Sequence, residues 1–242
     1  MVNNYDAATL FIYKTAVKER NEMNIEWKTS SDLVPLRTAI ELMEQRVVAI
    51  YEKKQNQLIW LLEHPHVYSG GTSSQDKHLL TSTEVPIELT NRGGSYTYHG
   101  PGQRVVYTMF DLKRQGKDIR KFVWNLEQWI IDTLSVFGLI GERRKNRIGI
   151  WICPMITGKM TLQPKNELKI ASIGLRVKNW VSYFGISVNL NPDLRYFNDI
   201  IACGNTGYGV TSFKQQGLNT SLTELDLALF NTFKKSEIAH SK

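Results

Sequence analysis

The sequence predicts a single α/β domain in which a mixed central β-sheet is flanked by helices. Short apolar segments of strand length alternate with longer segments whose apolar residues recur every three or four positions, the spacing of a buried helix face. The 242 residues, 42% of them hydrophobic, suffice for one substantial core, and no internal repeat or low-complexity linker divides them. We therefore assign residues 25–242 to the domain and the mixed polar residues 1–24 to an N-terminal extension.

The first elements are predicted to be a strand, a helix and a second strand. Residues 25–28 suit a short strand, and Asp32 can cap a helix that runs to about Lys54 with its apolar residues on one face. Residues 57–63, QLIWLLE, form a continuous apolar run. Such a run is typical of a central strand that is buried on both faces.

A glycine-rich stretch leads from these elements to the middle of the domain. Residues 69–82 are polar and predict a flexible connection, whereas 87–90 and 104–110 predict strands. Residues 118–137 place aromatic and aliphatic side chains on one helical stripe, and Gly138 stands where such a helix should end. We therefore predict a second helix over this segment.

The last part of the chain is predicted to complete the sheet. Residues 148–153 and 169–177 have the composition of two strands of a hairpin, which the polar segment 154–168 joins as a long loop. Residues 181–190 continue the sheet, and 222–233 have the pattern of a closing helix.

Composition and charge exclude several classes of protein. The net charge is +7, but lysines and arginines are spread along the chain, which argues against an arm that binds nucleic acid. No run of about 18 apolar residues and no secretory pattern is present, so we expect no membrane segment and a cytoplasmic location. The two cysteines are too few for a disulfide scaffold, and the five histidines lack metal-ligand spacing, so we expect no metal.

The stretch 92–103, RGGSYTYHGPGQ, is the most unusual part of the sequence. Its glycines allow a backbone to approach a ligand closely and leave amide groups free to donate to an oxyanion or carbonyl, while its proline stiffens the turn. An ordinary tight hairpin is the alternative. We favour a binding loop.

Lys169 and Cys203 are the candidate reactive side chains. Lys169 begins the apolar strand KIASIG, where alternation would turn it to the same face as Ala171; alternatively, it lies in solvent at the start of the strand. Cys203 stands between an apolar pair and a glycine in IIACGN, where a thiol can reach a cleft, although most free cysteines are small buried hydrophobes. Cys153 lies in WIC, which suits a strand interior.

Three separated segments of the chain resemble the lipoyl(octanoyl) transferases, which share the fold of lipoate and biotin protein ligases. The segments are LLEHPHVYSGG at 61–71, RGGSYTYHGPGQRVVYTMFDLKR at 92–114 and KIASIGLRVKNWVSYFGISVNLNPDLRYFNDIIACG at 169–204. The resemblance implies that residues 25–242 form an enzyme domain that transfers octanoyl from acyl carrier protein to a lysine of lipoyl domains, the first step of protein lipoylation.

The resemblance also implies roles for individual residues. Cys203 would carry octanoyl as a thioester, and Lys169 would lower the pKa of the thiol and serve as acid and base. A free thiol has a pKa of about 8.5, so a nearby ammonium increases its reactive thiolate fraction. The implied acyl-binding residues are small or line a glycine loop: Arg92, Gly93, Gly94, Ser95, Tyr96, Thr97, Tyr98, His99, Ser172, Ile173, Gly174, Gly185, Ile186 and Ser187.

The implied partners are octanoyl-acyl carrier protein, the lipoyl domains of 2-oxoacid dehydrogenase complexes and the H protein of glycine cleavage. A monomer without a cofactor is expected. An ATP-dependent lipoate or biotin-type ligase is the alternative enzyme, and a basic scaffold without catalysis is the alternative of another class. The chain departs from the family at Ala202, Phe184 and Ser187, where relatives usually carry proline, histidine and alanine, which bears on turn rigidity and pocket depth.

Overall fold

The computed structural model describes residues 25–81, 83–152, 155–156, 159–160, 167–201 and 208–240. The helices are α1 (Leu36–Tyr51), α2 (Ile119–Val136) and α3 (Leu222–Phe233), and 3-10 turns lie at Asp76–His78, Leu112–Gln115 and Leu194–Asp199. The strands are β1 (Ile25–Leu33), β2 (Gln57–Glu63), β3 (Val67–Gly70), β4 (Ile87–Leu89), β5 (Thr97–His99), β6 (Gln103–Met109), β7 (Glu142–Arg144), β8 (Arg147–Ile152), β9 (Met155–Ile156), β10 (Lys159–Met160), β11 (Leu168–Lys178), β12 (Val181–Asn189) and β13 (Gly209–Val210).

An eight-stranded mixed sheet forms the centre of the described part of the chain. Its order is β1-β2-β6-β12-β11-β8-β7, and β13 pairs with β11 beside this path. The pairs β1–β2 and β11–β13 are parallel, and the other neighbours are antiparallel. The predicted mixed central sheet is therefore confirmed.

Helices cover both faces of this sheet because the central strands contribute side chains to two cores. β2 sends Ile59 and Leu61 to the core that α2 and α3 cover, and Trp60 and Leu62 to the core that α1 covers. Burial on both faces explains why the segment is apolar throughout, as predicted. No helix in the described ranges combines the length and apolar composition that crossing a membrane requires.

Helix α1 begins later than the sequence predicts. Asp32 does not cap it, because β1 continues through Asp32 to Leu33, which pairs with Glu63 of β2. Pro35 occupies the N-cap position instead. Pairing with the neighbouring strand thus outweighs the local capping preference of an aspartate.

The other two helices agree with the prediction. The Asp118 carboxylate accepts a hydrogen bond from Lys121 N at 2.9 Å and so caps α2, while Gly138 takes a φ of +75° just after that helix ends. Ser221 and Glu224 form a capping box at the start of α3. These ends are set by local hydrogen bonds, which a sequence pattern can predict.

A smaller sheet, β4-β3-β5, lies beside the large one in the described part of the chain. The alternative of an ordinary hairpin over 92–103 is wrong, because β5 pairs with β3 whereas β6 pairs with β2 and β12. The flexible connection predicted over 69–82 contains the end of β3 and a 3-10 turn, so part of it is regular structure.

Strands β8 and β11 are antiparallel neighbours, as the predicted hairpin requires. Their register shifts between Lys169 and Ala171, and Ile170 and Ala171 both join the core under α2. The strict alternation expected for Lys169 and Ala171 is therefore interrupted. Strands β9 and β10 pair within the segment 154–168, which otherwise lies mostly outside the described residues.

Candidate functional site

A cavity opens where the glycine-rich stretch meets the middle of β11 and β12. It holds about 530 Å³ of empty space, part of which is open to solvent. The lining residues that the sequence predicts as a binding site are Arg92, Gly93, Gly94, Ser95, Tyr96, Thr97, His99, Ser172, Ile173, Gly174, Gly185, Ile186 and Ser187. Three segments that are far apart in the sequence therefore form one pocket.

The glycine-rich stretch is held against β11 and β3 by hydrogen bonds. Gly93 N donates to Leu175 O at 2.9 Å. Arg92 is 7% exposed, and its guanidinium donates to Ser69 Oγ at 3.0 Å, to Ser69 O at 2.5 Å and to Gly93 O at 3.0 Å. The Arg92 side chain therefore shapes the loop as well as lining the pocket.

Close approach of backbones explains the small residues at this site. A Cβ on Gly185 would lie 2.1 Å from Val106 O, and one on Gly71 would lie 2.3 Å from Gly94 O. Neither contact is possible for a larger residue without movement of the backbone. The glycines thus bring β12 onto β6 and the loop onto β3, which forms the walls of the pocket.

His99 lines the pocket and is the first member of a chain of buried hydrogen bonds. Its Nδ1 lies 2.6 Å from Gln103 Oε1, Gln103 Nε2 donates to Asn189 Oδ1 at 2.9 Å, and Asn189 Nδ2 donates to Thr211 O at 2.9 Å. Because the carbonyl of Thr211 can only accept, each amide in the chain has one orientation, and His99 carries its proton on Nδ1. Burial is the main reason that the pKa of His99 falls to about 3.

A second buried histidine lies behind the pocket wall. His64 Nδ1 donates to Val34 O at 2.5 Å, so its Nε2 accepts the hydroxyl of Tyr107 at 2.7 Å. Burial lowers the pKa of His64 to about 4 and raises the pKa of Tyr107. Both histidines and the tyrosine are therefore uncharged at neutral pH. The Tyr107 hydroxyl hydrogen points toward His64.

Phe184 gives the pocket an aromatic wall through an unusual backbone conformation. Its φ is +62°, which bulky L-residues rarely adopt, and it lies 2% exposed. Tyr183 and Phe184 are consecutive, yet both pack in the core under α1. The left-handed backbone conformation of Phe184 therefore interrupts the alternation of side chains between the two faces of β12 at the pocket.

The glycine loop contacts β11 at Leu175, toward the end of the strand. Lys169 lies at the start of the same strand. It is 5% exposed, so the alternative that it starts the strand in solvent is wrong. Its Nζ lies 5.1 Å from the centroid of the Trp151 ring, and a Cβ on Gly149 would lie 2.5 Å from Lys169 Cε. Lys169 does not line the cavity, whose nearest wall residue on the same strand, Ser172, is about 10 Å along the chain.

Charged side chains surround this end of β11. Arg144 and Arg147 both pair with Glu167, and hydrogen bonds from these two arginines, against an opposing effect of burial, hold the pKa of Glu167 below its ordinary value. The Arg147 guanidinium stacks 4.1 Å from the ring centroid of Tyr208. The pocket differs from this region, because Arg92 is the one charged side chain among the described residues that line it.

Cys203 and Cys153 lie outside the described residues, but the chain on both sides of Cys203 is described. Ile201 N donates to His78 O at 2.8 Å, and His78 Nδ1 lies 2.9 Å from Ser95 Oγ on the pocket wall. On the other side, β13 runs parallel to Leu168 and Lys169. One flank of the cysteine segment is therefore linked to the glycine loop through His78, and the other flank pairs with Leu168 and Lys169.

The site differs from the sequence prediction at several positions. Tyr98 does not line the cavity; its hydroxyl lies 2.7 Å from His66 Nδ1, and its ring stacks on Tyr196. The two-residue period of a strand could have indicated this, because Thr97 and His99 share the other face of β5. The pocket residues that the sequence prediction missed are Leu36, Ser69, Val105, Tyr107 and Phe184. No described group of three or more His, Cys, Asp or Glu residues is arranged to hold a metal.

Comparison with known proteins gives consistent matches over most of the chain. The family model of the lipoyl protein ligase A/B catalytic domain matches residues 35–234. An octanoyltransferase of Brucella suis biovar 1 is 44% identical over 217 residues, which cover 90% of this chain and 81% of that protein. An octanoyltransferase of Dinoroseobacter shibae is 44% identical over 212 residues, which cover 88% and 96%.

The same fold occurs in a solved lipoate protein ligase. The bipartite enzyme of Thermoplasma acidophilum aligns with a TM-score of 0.63 over 87% of this chain and 83% of that chain. The sequence identity is 14%, so this likeness concerns the fold alone. The predicted ligase-like fold is confirmed.

Proposed function

The chain belongs to the family of the lipoyl protein ligase A/B catalytic domain, and we propose from this membership that it is an octanoyltransferase of protein lipoylation. It takes an octanoyl group from acyl carrier protein and transfers it to a lysine of a lipoyl domain. The lipoyl domains of 2-oxoacid dehydrogenase complexes and the H protein of glycine cleavage are the proposed acceptors.

The observation that carries the proposal is the largely apolar pocket between the glycine loop and the middle of the sheet. Its aliphatic and aromatic walls, such as Val105, Ile186 and Phe184, suit a medium-length acyl chain. Each methylene buried there contributes about 0.8 kcal/mol. The amides of the glycine loop are suited to the polar end of the same ligand.

In the proposed reaction, Cys203 attacks the thioester of the carrier. Its Sγ forms a bond to the octanoyl carbonyl carbon, the bond to the carrier sulfur breaks, and the carrier thiolate takes a proton from the Lys169 ammonium. The acceptor lysine then attacks the new thioester as a free amine. An amide forms, the Cys203 thiolate leaves, and Lys169 takes back the proton of the amine.

The proposed reaction needs no nucleotide. Exchange of one thioester for another is nearly balanced in free energy, and transfer from sulfur to an amine is favourable because the amide is the more stable product. The positive net charge of +7 favours encounter with acidic partner domains. The ATP-dependent ligase is the less favoured alternative, because the relatives with high identity are named octanoyltransferases.

A mass measurement tests the proposal. The pure protein is incubated with octanoyl-acyl carrier protein without ATP, and its intact mass is recorded before and after treatment with hydroxylamine. We expect a gain of one octanoyl unit that hydroxylamine removes and that Cys203→Ala abolishes. A strict requirement for ATP would instead support the ligase, and octanoylation of Cys203→Ala would exclude the thioester.

A further inference from the structure

We propose that the end of the domain away from Lys169 is a docking surface for an acidic segment of a partner protein. Three stretches of the chain meet at this surface, which we call the basic end: residues 51–57 between α1 and β2, residues 111–121 around the start of α2, and residues 178–181 at the turn from β11 to β12. The inference goes beyond the proposed function, which does not use this surface.

Hydrogen bonds join the three stretches of the basic end into one surface. Leu112 N donates to Trp180 O at 2.7 Å, which holds the second stretch against the third. Asp111 N donates to Gln57 Oε1 at 3.0 Å, which holds the second stretch against the first. The basic end is therefore one continuous part of the folded domain, although its residues are far apart in the sequence.

Two exposed aromatic rings of the basic end each lie close to a lysine. Trp180 is 36% exposed, and Lys117 Nζ lies 5.8 Å from its ring centroid. Tyr51 is 48% exposed, and Lys113 Nζ lies 4.8 Å from its ring centroid. Exposed aromatic residues are enriched where proteins bind other proteins.

Positive charge that is spread along the sequence is concentrated at the basic end. The three stretches contain eight cationic and three acidic side chains, so they carry a net charge of +5, compared with +7 for the whole chain. Lys54 pairs with Glu52, and Lys121 pairs with Glu237 at 3.6 Å. The other six cations are exposed and form no ion pair with the described residues: Lys53, Lys113, Arg114, Lys117, Arg120 and Lys178.

Arg114 is the common wall of two cavities at the basic end. One cavity has about 620 Å³ of empty space and is also bordered by Lys121 and Glu237. The other has about 520 Å³ and is also bordered by Lys53 and Asp111. Part of each volume is open to solvent, so acidic side chains of a partner can reach Arg114 from either side.

The carboxylates of the basic end favour a protein over a nucleic acid or an anionic membrane as its partner. The closely spaced phosphates of a nucleic acid or a lipid surface would meet Asp111, Asp118 and Glu237 as well as the cations, and like charges repel. A protein can place an acidic residue opposite each cation and a neutral or basic residue opposite each carboxylate. The mixed charge pattern is therefore complementary to an acidic protein segment.

The basic end is well separated from the start of β11. Nine residue steps lie between Lys169 and Lys178, the last residue of the strand, which corresponds to about 30 Å at 3.3 Å per residue. A partner bound at the basic end would therefore leave the Lys169 end of the strand uncovered. We expect docking to be compatible with acyl transfer.

Calorimetry with the full-length protein and an acidic peptide tests the proposal. The peptide has blocked ends and about twelve alternating glutamate and serine residues, which is long enough to reach both cavities. We expect one saturable site in about 0.1 M salt and about tenfold weaker binding to Arg114→Gln. A peptide with glutamine in place of glutamate should not bind.

The matched control is Arg37→Gln, which removes the same charge from an exposed arginine that pairs with Glu88 outside the basic end. Its affinity for the acidic peptide should stay within about twofold of the wild type, because salt screens distant charges. Equal losses in the two variants, or no saturable binding to the wild type, would overturn the proposal. Tighter binding of a single-stranded oligonucleotide through Arg114 would assign the surface to nucleic acid instead.

An activity measurement separates this site from the acyl pocket. The peptide should not slow acylation of the protein by octanoyl-N-acetylcysteamine, a small thioester that requires no carrier docking. Competition between the peptide and the thioester would place the peptide in the pocket and contradict the proposal. Failure of the proposed acyl transfer would leave the calorimetric result unchanged, because peptide binding requires no acyl group.

Discussion

The two ends of β11 provide opposite environments for side chains. Around Ser172 and Gly174, the strand borders a pocket whose one described lining histidine is neutral, since burial lowers the pKa of His99 to about 3. Around Lys169, the same strand is packed among carboxylates and guanidinium groups. One continuous strand therefore connects the pocket proposed to bind the acyl chain to Lys169, the proposed acid and base.

We therefore expect the pocket end of β11 to determine binding of the acyl chain and the Lys169 end to determine reactivity. An acyl chain gains free energy from apolar contacts and would lose it beside an unpaired charge. Thiolate and ammonium groups need nearby charges that stabilise them. Changes at one end should thus affect reactivity, and changes at the other should affect stability and chain length.

The largest expected effect comes from Lys169→Ala, which tests whether the reaction depends on the end of β11 that contains Lys169. Loss of the proton donor and acceptor should lower octanoyl transfer about a thousandfold. Binding of octanoate, measured by calorimetry, should stay near the wild-type value because Lys169 does not line the pocket. A variant that transfers octanoyl at the wild-type rate would remove Lys169 from the mechanism.

We expect acid to lower the free energy of unfolding, because two buried histidines are neutral in the folded protein. The unfolded chain protonates histidine near pH 6.5, whereas the pKa values of His64 and His99 in the folded protein are about 4 and about 3. The unfolded state therefore binds more protons below pH 6.5, and stability present above that pH is lost as the pH falls. The loss should be about 2 kcal/mol per histidine between pH 7 and pH 5.

Urea unfolding at the two pH values measures this loss. His99→Asn keeps a donor to Gln103 but removes one titrating group, so its stability should depend on pH about half as strongly. An unchanged pH dependence in His99→Asn would show that other groups cause the acid sensitivity.

Close backbone contact at the pocket gives a third prediction. Gly185→Ala places a Cβ 2.1 Å from Val106 O, so β12 must move away from β6. We expect a loss of about 2 kcal/mol in the free energy of unfolding. Gly93→Ala is the matched control, because its Cβ would lie 3.4 Å from Leu175 O, an ordinary contact. Equal melting temperatures for the two variants would contradict the argument.

The smallest expected effect concerns chain length. Phe184→Ala should deepen the pocket and favour decanoyl over octanoyl thioesters by about fourfold for each additional methylene that the space accepts, since each contributes about 0.8 kcal/mol. Competition between the two thioesters measures the ratio. Tyr98→Phe is the control, because Tyr98 lies outside the pocket. If Tyr98→Phe changed the ratio and Phe184→Ala did not, the acyl chain would have to bind near Tyr98 instead of Phe184.

Local patterns predicted much of the fold and part of the site. The buried strand β2, the helices α2 and α3, and the glycine loop follow from hydrophobic period, capping and turn residues. The acyl-binding residues came from the resemblance of three segments, and the structure brings them to one cavity except Tyr98. Lys169 lies outside this cavity, and Cys203 lies outside the described residues. Asp32 was misassigned because a strand pairing that no local pattern reveals extends β1.

The sequence by itself determined the fold class, the ends of α2 and α3 and the segments that resemble a transferase, because each depends on neighbours within a few residues. Only the tertiary structure decided that Tyr107 and Phe184 wall the pocket and that two histidines stay neutral. Those properties depend on strand register and burial, which arise when distant segments pack together and water is excluded.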